Sequence, residues 1–214
     1  MKPAIPLPIP APAQLSELLD AVARDCVELG RLSLGDLIHR LDDRATLVLL
    51  ALFSLPFITP VPTAGLSMPF GLAAAIIGLG IARGRNPPWP DRLLRLQLPS
   101  GLVGRIASAG SRVWRIVDRL LKPRWAWVAQ AAPWRWLHGS IAMISGVLMA
   151  LPLPIPFSNA LPAITLLLLA AGLLQRDGLA LVAAQMCFLV TASFFSVLAW
   201  LGWEGVHRLI TWMT

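Results

Sequence analysis

Charge is missing from two long stretches of this chain. No Lys, Arg, Asp or Glu occurs between Arg44 and Arg83, or between Arg135 and Arg176. Each gap runs for about forty residues, against the roughly 20 that one membrane-spanning helix needs. Cysteine is scarce: Cys26 lies in an amphipathic segment and Cys187 in an apolar one, which leaves no basis for a disulfide framework or a cysteine metal site. His39, His138 and His207 stand far apart, so no histidine cluster offers metal ligands. There is no G-x-S-x-G elbow, no Walker A sequence and no pair of aspartates in a polar loop. Asp42 and Asp43 are adjacent, and adjacent side chains on a helix point apart. No catalytic residue, metal or cofactor is therefore expected, and the chain is not read as an enzyme. The net charge of +7 could suit nucleic acid, but no Lys/Arg run or nucleic-acid motif accompanies it, and the arginines flank apolar blocks as they do beside a membrane.

Apolar residues make up 57% of the chain and charged ones 14%, with a mean hydropathy of +0.70, more apolar surface than a soluble fold of this length can hide. The expected fold class is an all-α integral membrane protein with two repeated, proline-broken, re-entrant-like helical hairpins. One further transmembrane helix and amphipathic cytoplasmic or interfacial helices complete it. Residues 1–13 alternate proline with apolar residues and read as a disordered tail without a secretory signal. Residues 14–44 read as amphipathic cytoplasmic helices, because Leu15, Leu18, Leu19, Val22, Cys26 and Leu29 recur at spacings of three and four. Ser33 and Asp36 resemble a capping box that opens a second short helix.

Residues 45–82 form the first broken hairpin. Its arms, 45–56 and 69–82, are about 18 and 21 Å long at 1.5 Å per residue, short of a hydrocarbon core of about 30 Å. Between them Pro56, Pro60, Pro62, Gly65 and Pro69 interrupt the helical path. Residues 139–176 repeat the order: Pro154 and Pro156 match Pro60 and Pro62, a polar pause follows, and Pro162, like Pro69, reopens a helix that meets an arginine fourteen residues on.

The linking segment 83–138 holds eleven of the eighteen basic residues and six of the nine tryptophans. In it Leu102, Val103, Ile106, Val113, Ile116, Val117, Leu120 and Leu121 form an apolar face opposite Arg105, Arg112, Arg115 and Arg119. That pattern suits a helix lying in the headgroup layer, or alternatively a soluble cap packing on itself. Residues 179–203 are a full span with Trp200 and Trp203 near its exit, and 204–214 a short tail. Five basic residues precede residue 45, eleven lie in the middle segment and one follows residue 203. The positive-inside rule then puts the N-terminus and the middle segment in the cytoplasm and the C-terminus in the periplasm, which requires each hairpin to return to the side it left.

The candidate binding groups lie at the two tips: Thr59, Pro60, Pro62, Thr63, Gly65 and Pro69 in the first, Pro154, Pro156, Ser158, Asn159 and Pro162 in the second. Helices opening at Pro69 and Pro162 would aim free amides and partial positive charge inward, and the neutral side chains could bond a sugar or an anion. The plainer account is that these side chains satisfy backbone groups that the prolines release. Arg83, Arg85 and Arg176 are the candidates for phosphate or headgroup contact at the cytoplasmic surface.

Five segments in order, Ser33-Leu-Gly-Asp-Leu, Leu55-Pro-x-x-x-Pro-x-Pro, Asn86-Pro-Pro-Trp-Pro, Leu151-Pro-Leu-Pro-Ile-Pro-Phe-Ser-Asn-Ala-Leu-Pro and Leu174-Gln-Arg-Asp-Gly, together resemble the ExoD family of exopolysaccharide synthesis proteins. Ser158 departs from the glycine expected before Asn159, and the N-terminal proline tail is an extension. The resemblance implies an inner-membrane protein needed for making or exporting acidic exopolysaccharide, and it implies no reaction. Two tasks fit: handling a lipid-linked saccharide or an ion through paired broken helices, or serving as a non-catalytic assembly or regulatory component. The expected partners are membrane lipid, a lipid-linked saccharide, other components of the exopolysaccharide machinery and further copies of the chain.

Overall fold

A computed structural model describes residues 15–29, 32–33, 35, 38, 45–58, 67–84, 87, 97–98, 100–120, 132–151 and 158–213. Apart from one two-residue ladder, the described residues in regular structure are helical. Helix α1 spans Leu15–Leu29 and is followed by β1, Leu32–Ser33. Helix α2 covers Ala45–Ser54 and tightens into a 3-10 turn at Leu55–Phe57, where Pro56 removes a donor. Helix α3 is Ser67–Arg83, β2 is Gln97–Leu98 and α4 is Ser100–Leu120. Helices α5, Ala132–Ala150, α6, Ala160–Gln175, and α7, Gly178–Met213, complete the chain.

Both reopening helices start two residues before their proline, at Ser67 and Ala160, so Pro69 and Pro162 occupy first turns, where a missing amide costs nothing. Helix α5 begins at Ala132, well before the expected residue 139, because Pro133 is placed to start it; Trp134, Arg135, Trp136 and His138 are therefore helical. Helix α7 likewise runs unbroken through the expected tail to Met213.

The strongest packing joins α3 to α5, and glycine makes it possible. A methyl group on Gly71 would lie 2.5 Å from Ala150 N, on Gly78 2.3 Å from Met143 N, on Gly139 2.2 Å from Ala82 N, and on Gly146 2.4 Å from Ala75 N. Backbones this close leave no room for a Cβ. The partners run in opposite order along the two helices, so α3 and α5 are antiparallel. The start of α3 and the end of α5 thus lie at one end of the bundle, with Arg83 and Arg135 at the other.

Phe70 of α3 touches both Phe53 and Phe57, with centroids 5.1 and 6.4 Å apart, which folds α3 back antiparallel on α2. Helix α6 packs on α2, α5 and α7, and its reversal into α7 sets Thr165 beside Thr191 and Gly172 beside Leu181. Every residue of α2 is buried, and it has no polar face to present to water. Antiparallel pairing of β1 with β2, Leu32 opposite Leu98, aligns α1 against α4, and this pair covers α2. Val103, Ala107, Gly110 and Ser111 of α4 are buried, with Gly110 against Leu55 and Leu19, while Arg105, Arg112 and Arg115 are exposed. Protein, not bilayer, thus covers this described part of the α4 apolar face. Exposed Arg115 and half-buried Asp20 approach to 3.7 Å.

Apolar side chains on the outer faces of α3, α5 and α7 remain uncovered: Met68 and Leu72, then Trp136, Ile144, Val147 and Leu151, then Leu179, Met186, Leu189, Val190, Val197, Trp200, Leu201 and Trp203. Helix α7 is long and apolar enough to cross a membrane over Gly178–Glu204, whereas the apolar helices in α2, α3 and α6 are shorter.

Candidate functional site

The bundle presents two different ends. Of the tip residues, Thr59, Pro60, Pro62, Thr63, Gly65, Pro154 and Pro156 lie outside the described residues, as does Arg85. Pro69 is exposed at the start of α3. Ser158 and Pro162 are buried and Asn159 is half-buried at the start of α6. The backbone carbonyl of Asn159 accepts from Ala163 N at 3.1 Å, but its side chain does not cap the helix, and its buried Oδ1 has no hydrogen-bond partner among the described residues. Because α3 and α5 are antiparallel, Pro69 at the start of α3 lies at the same end of the bundle as Ala150, the last residue of α5.

The opposite end gathers arginine. Arg83 is exposed at the end of α3, and Gly84 turns the chain at φ 61° directly against Arg135, so that a methyl there would lie 2.7 Å from Arg135 Cζ. Arg176 closes α6 with φ 55°, the left-handed conformation that lets a helix end, and Asp177 N donates to Gly172 O at 2.9 Å. Asp177, 2% exposed, then caps α7 by accepting from Leu179 N at 2.9 Å. Much of the Gln-Arg-Asp-Gly sequence is accounted for by this tight reversal between two helices.

Between the two ends, buried polar side chains form a sparse seam on α5, α6 and α7, with one contact between α5 and α7 and one between α6 and α7. His138, 0% exposed, stacks on Trp134 with centroids 6.2 Å apart, and its Nε2 lies 3.4 Å from Gln185 Nε2. Its Nδ1 has no partner among the described residues. Ser145, also fully buried, stands seven residues further along α5, on the same face and about 10 Å away, and its hydroxyl has no partner among them either. Thr165 on α6 and Thr191 on α7 approach to 3.3 Å, while Thr165 reaches Leu161 O at 3.1 Å and Thr191 reaches Cys187 O at 2.9 Å. Two hydroxyl protons cannot make three bonds at once, so this pair has alternative arrangements. Among the described residues no three His, Cys, Asp or Glu side chains converge.

The seam has a weak signature in sequence. His138, Ser145, Thr165, Gln185 and Thr191 are isolated polar residues on apolar helices, and only a register for α5, α6 and α7 shows that His138 meets Gln185 and Thr165 meets Thr191. The glycine pairs had a clearer one, since Gly71 and Gly78, like Gly139 and Gly146, are seven residues apart.

Residues 15–197 match the family described as "Exopolysaccharide synthesis, ExoD". Protein ExoD of Rhizobium meliloti is 34% identical over 170 residues, 79% of this chain and 71% of that one. An uncharacterised protein of Synechocystis is 27% identical over 148 residues, 67% of this chain and 66% of its own length, so the chain spans just under two thirds of that relative. No solved structure matches the chain. The family match takes in α1 to α6, α7 as far as Val197, the Arg176–Asp177 reversal and the buried polar residues, and on that extent the chain belongs to the ExoD family of exopolysaccharide synthesis.

Proposed function

We propose that this protein is a multi-pass inner-membrane component of exopolysaccharide synthesis that handles a lipid-linked saccharide, with the arginine end of the bundle at the cytoplasmic surface. One observation carries the reading: two uncharged, proline-broken tips belong to helices whose other ends bear Arg83, Arg135 and Arg176, while the outer faces of α3, α5 and α7 are clad in uncovered apolar side chains. An apolar cladding of this kind suits lipid better than water. Arginines at the boundary suit the phosphate of a lipid carrier: Arg83 and Arg176 close their helices there, and Arg85 follows Arg83 by two residues in sequence. Neutral groups at the tips, Ser158 and Asn159 among them, suit sugar hydroxyls or an anion inside the membrane. The basic count on either side puts the N-terminus in the cytoplasm and the C-terminus in the periplasm.

The reading requires water to reach the tips. Single cysteines placed at Thr63 and Ser158, in a chain lacking Cys26 and Cys187, are expected to react with small polar thiol reagents in intact cells. Complete protection of both positions under every condition would rule the reading out.

A second reading, an assembly or regulatory component, has its own support in α4. The described part of its apolar face is occupied by protein while Arg105, Arg112 and Arg115 stay exposed, an arrangement suited to docking an acidic surface of another component. Exopolysaccharide output unchanged after Arg112→Glu and Arg115→Glu, together with recovery of the solubilised chain alone, would remove it.

A further inference from the structure

We propose that the seam between α5, α6 and α7 is a proton path, with His138 as the group that takes up and releases the proton. The proposal goes beyond saccharide handling, which needs no proton movement. It begins from placement. His138 is fully enclosed in a helix whose neighbours carry almost nothing else that titrates. On α5 the nearest charge is Arg135, one turn earlier; α3 offers only Arg83 at its end; α6 has none, with Arg176 and Asp177 at its reversal; and α7 has Cys187 but no charge before Glu204. Interior ionisable side chains in apolar bundles are expensive, and an imidazole placed there without a carboxylate has little structural gain to show for it.

A relay needs one ring nitrogen to receive and the other to give. Nε2 is held near the Gln185 amide, and Nδ1 is buried without a partner among the described residues. The Gln185 amide nitrogen can only donate, so in this contact Nε2 accepts and the neutral ring carries its proton on Nδ1. Once Gln185 turns away, a proton taken up from water on Nε2 gives imidazolium, and loss of the Nδ1 proton to water on the other side restores the neutral ring as the other tautomer. Each transfer exchanges an O–H bond for an N–H bond or the reverse, and a turn of the ring resets it. Ser145, unpartnered on the same face, and the Thr165–Thr191 pair with its spare arrangement supply hydroxyls that can pass a proton along in either direction. Asn159 Oδ1 adds an acceptor near the tip. Waters must bridge the gap of about 10 Å between His138 and Ser145, and unsatisfied buried polar groups are what hold water inside a protein.

The test uses the full chain in sealed phospholipid vesicles containing a trapped pH-sensitive dye, with valinomycin and potassium to cancel the electrical potential. After an external acid step, wild-type vesicles are expected to acidify several-fold faster than vesicles holding His138→Gln, which should match protein-free vesicles. Ser145→Ala should fall between, and Gly202→Ala, at a position with no neighbour within 4 Å, should behave as wild type. Wild-type flux equal to that of empty vesicles, or equal flux in wild type and His138→Gln, overturns the proposal. Should His138→Gln fail to fold, nitrogen-labelled histidine in wild-type chain decides instead. An imidazole at His138 that titrates reversibly supports the path, and one that stays neutral and unexchanged from pH 4 to 8 overturns it. Loss of flux with saccharide handling intact would separate the two readings.

Discussion

Replacing Gly78 by alanine tests whether backbone contact between α3 and α5 holds the bundle together. The added methyl would lie 2.3 Å from Met143 N and 2.7 Å from Met143 Cα, where ordinary contact begins near 3.4 Å. The helices must therefore part by about 1 Å, and a gap of that size forfeits roughly a quarter to a half of each pairwise attraction along the seam. Alanine favours helix by about 0.5–1 kcal/mol over glycine, whereas overpacking costs about 1–3 kcal/mol, so a net loss of about 1–2 kcal/mol is expected. Gly139→Ala, whose methyl would meet Ala82 N at 2.2 Å, should lose as much. Gly71 and Gly146 face each other through their carbonyls, at 2.6 and 2.8 Å from the would-be methyl groups, so one separation accommodates both changes. Their double mutant should lose about 1 kcal/mol less than the sum of the singles. Gly101→Ala and Gly202→Ala, with nothing within 4 Å, are controls that should be neutral or slightly stabilising. Reversible unfolding by titrated sodium dodecyl sulfate, followed by tryptophan fluorescence, measures the six single variants and the double mutant. Gly78→Ala and Gly139→Ala as stable as the two controls would refute the close packing.

Asp177→Ala should lose about 1 kcal/mol in the same assay, because the carboxylate caps α7 through Leu179 N, whereas Arg176→Gly at φ 55° should be neutral or stabilising. If Arg176 also meets lipid phosphate, Arg176→Gly keeps the fold and weakens binding to anionic vesicles; unchanged binding would leave the residue a turn element alone. Thr165→Val and Thr191→Val should each cost on the order of 0.5–1 kcal/mol, with a coupling of about 0.6 kcal/mol in the double-mutant cycle, and additive losses would argue against the contact. Charge reversal at Arg105, Arg112 and Arg115 should move stability by no more than about 0.5 kcal/mol each, since all three are exposed; larger losses would mean that α4 is held by its charges and not by its buried face.

What could be read from sequence here follows from which forces are local. Proline and glycine mark breaks wherever the chain is placed, so the interruption after Leu55 and the reopening near Pro69 and Pro162 were visible, with the helix starts only two residues off. The alternation of Arg105, Arg112 and Arg115 with apolar residues announced α4, and 3.6-residue periodicity announced α1. Neither pattern says what an apolar face meets. Headgroups and a partner helix look alike to Val103 and Ala107, and it took the pairing of Leu32 with Leu98 to bring α1 onto that face. Helix α2 had a sign of enclosure in its lack of any polar side, but length and composition read equally as a lipid-facing arm. No second ligand stands near His138 in sequence, and its neighbours Gln185 and Trp134 come from a helix position 47 residues away and from one turn earlier.

The unequal lengths of the helices bear on where the tips lie. With Gly178 at one boundary of the hydrocarbon, Trp200 and Trp203 fall 22 and 25 residues on, about 33 and 38 Å, which is the far boundary of a core about 30 Å thick and the depth that suits tryptophan. Thr191, opposite Thr165 near the start of α6, is 13 residues on, only about 20 Å. Ala160, the first residue of α6, lies five residues or about 8 Å beyond Thr165, so on this placement α6 opens about 27 Å from the Gly178 boundary, just inside the far one, and α7 continues past it. The free amides at the start of α6 then lie at the edge of the hydrocarbon, where protein or enclosed water has to satisfy them. Nitroxide labels at Val190→Cys and Trp203→Cys, both exposed on α7, test this placement in a chain lacking the native cysteines. The label at 190, about 18 Å from the Gly178 boundary, should collide mainly with dissolved oxygen and that at 203 mainly with a water-soluble nickel chelate; equal nickel exposure at both would refute the span of α7.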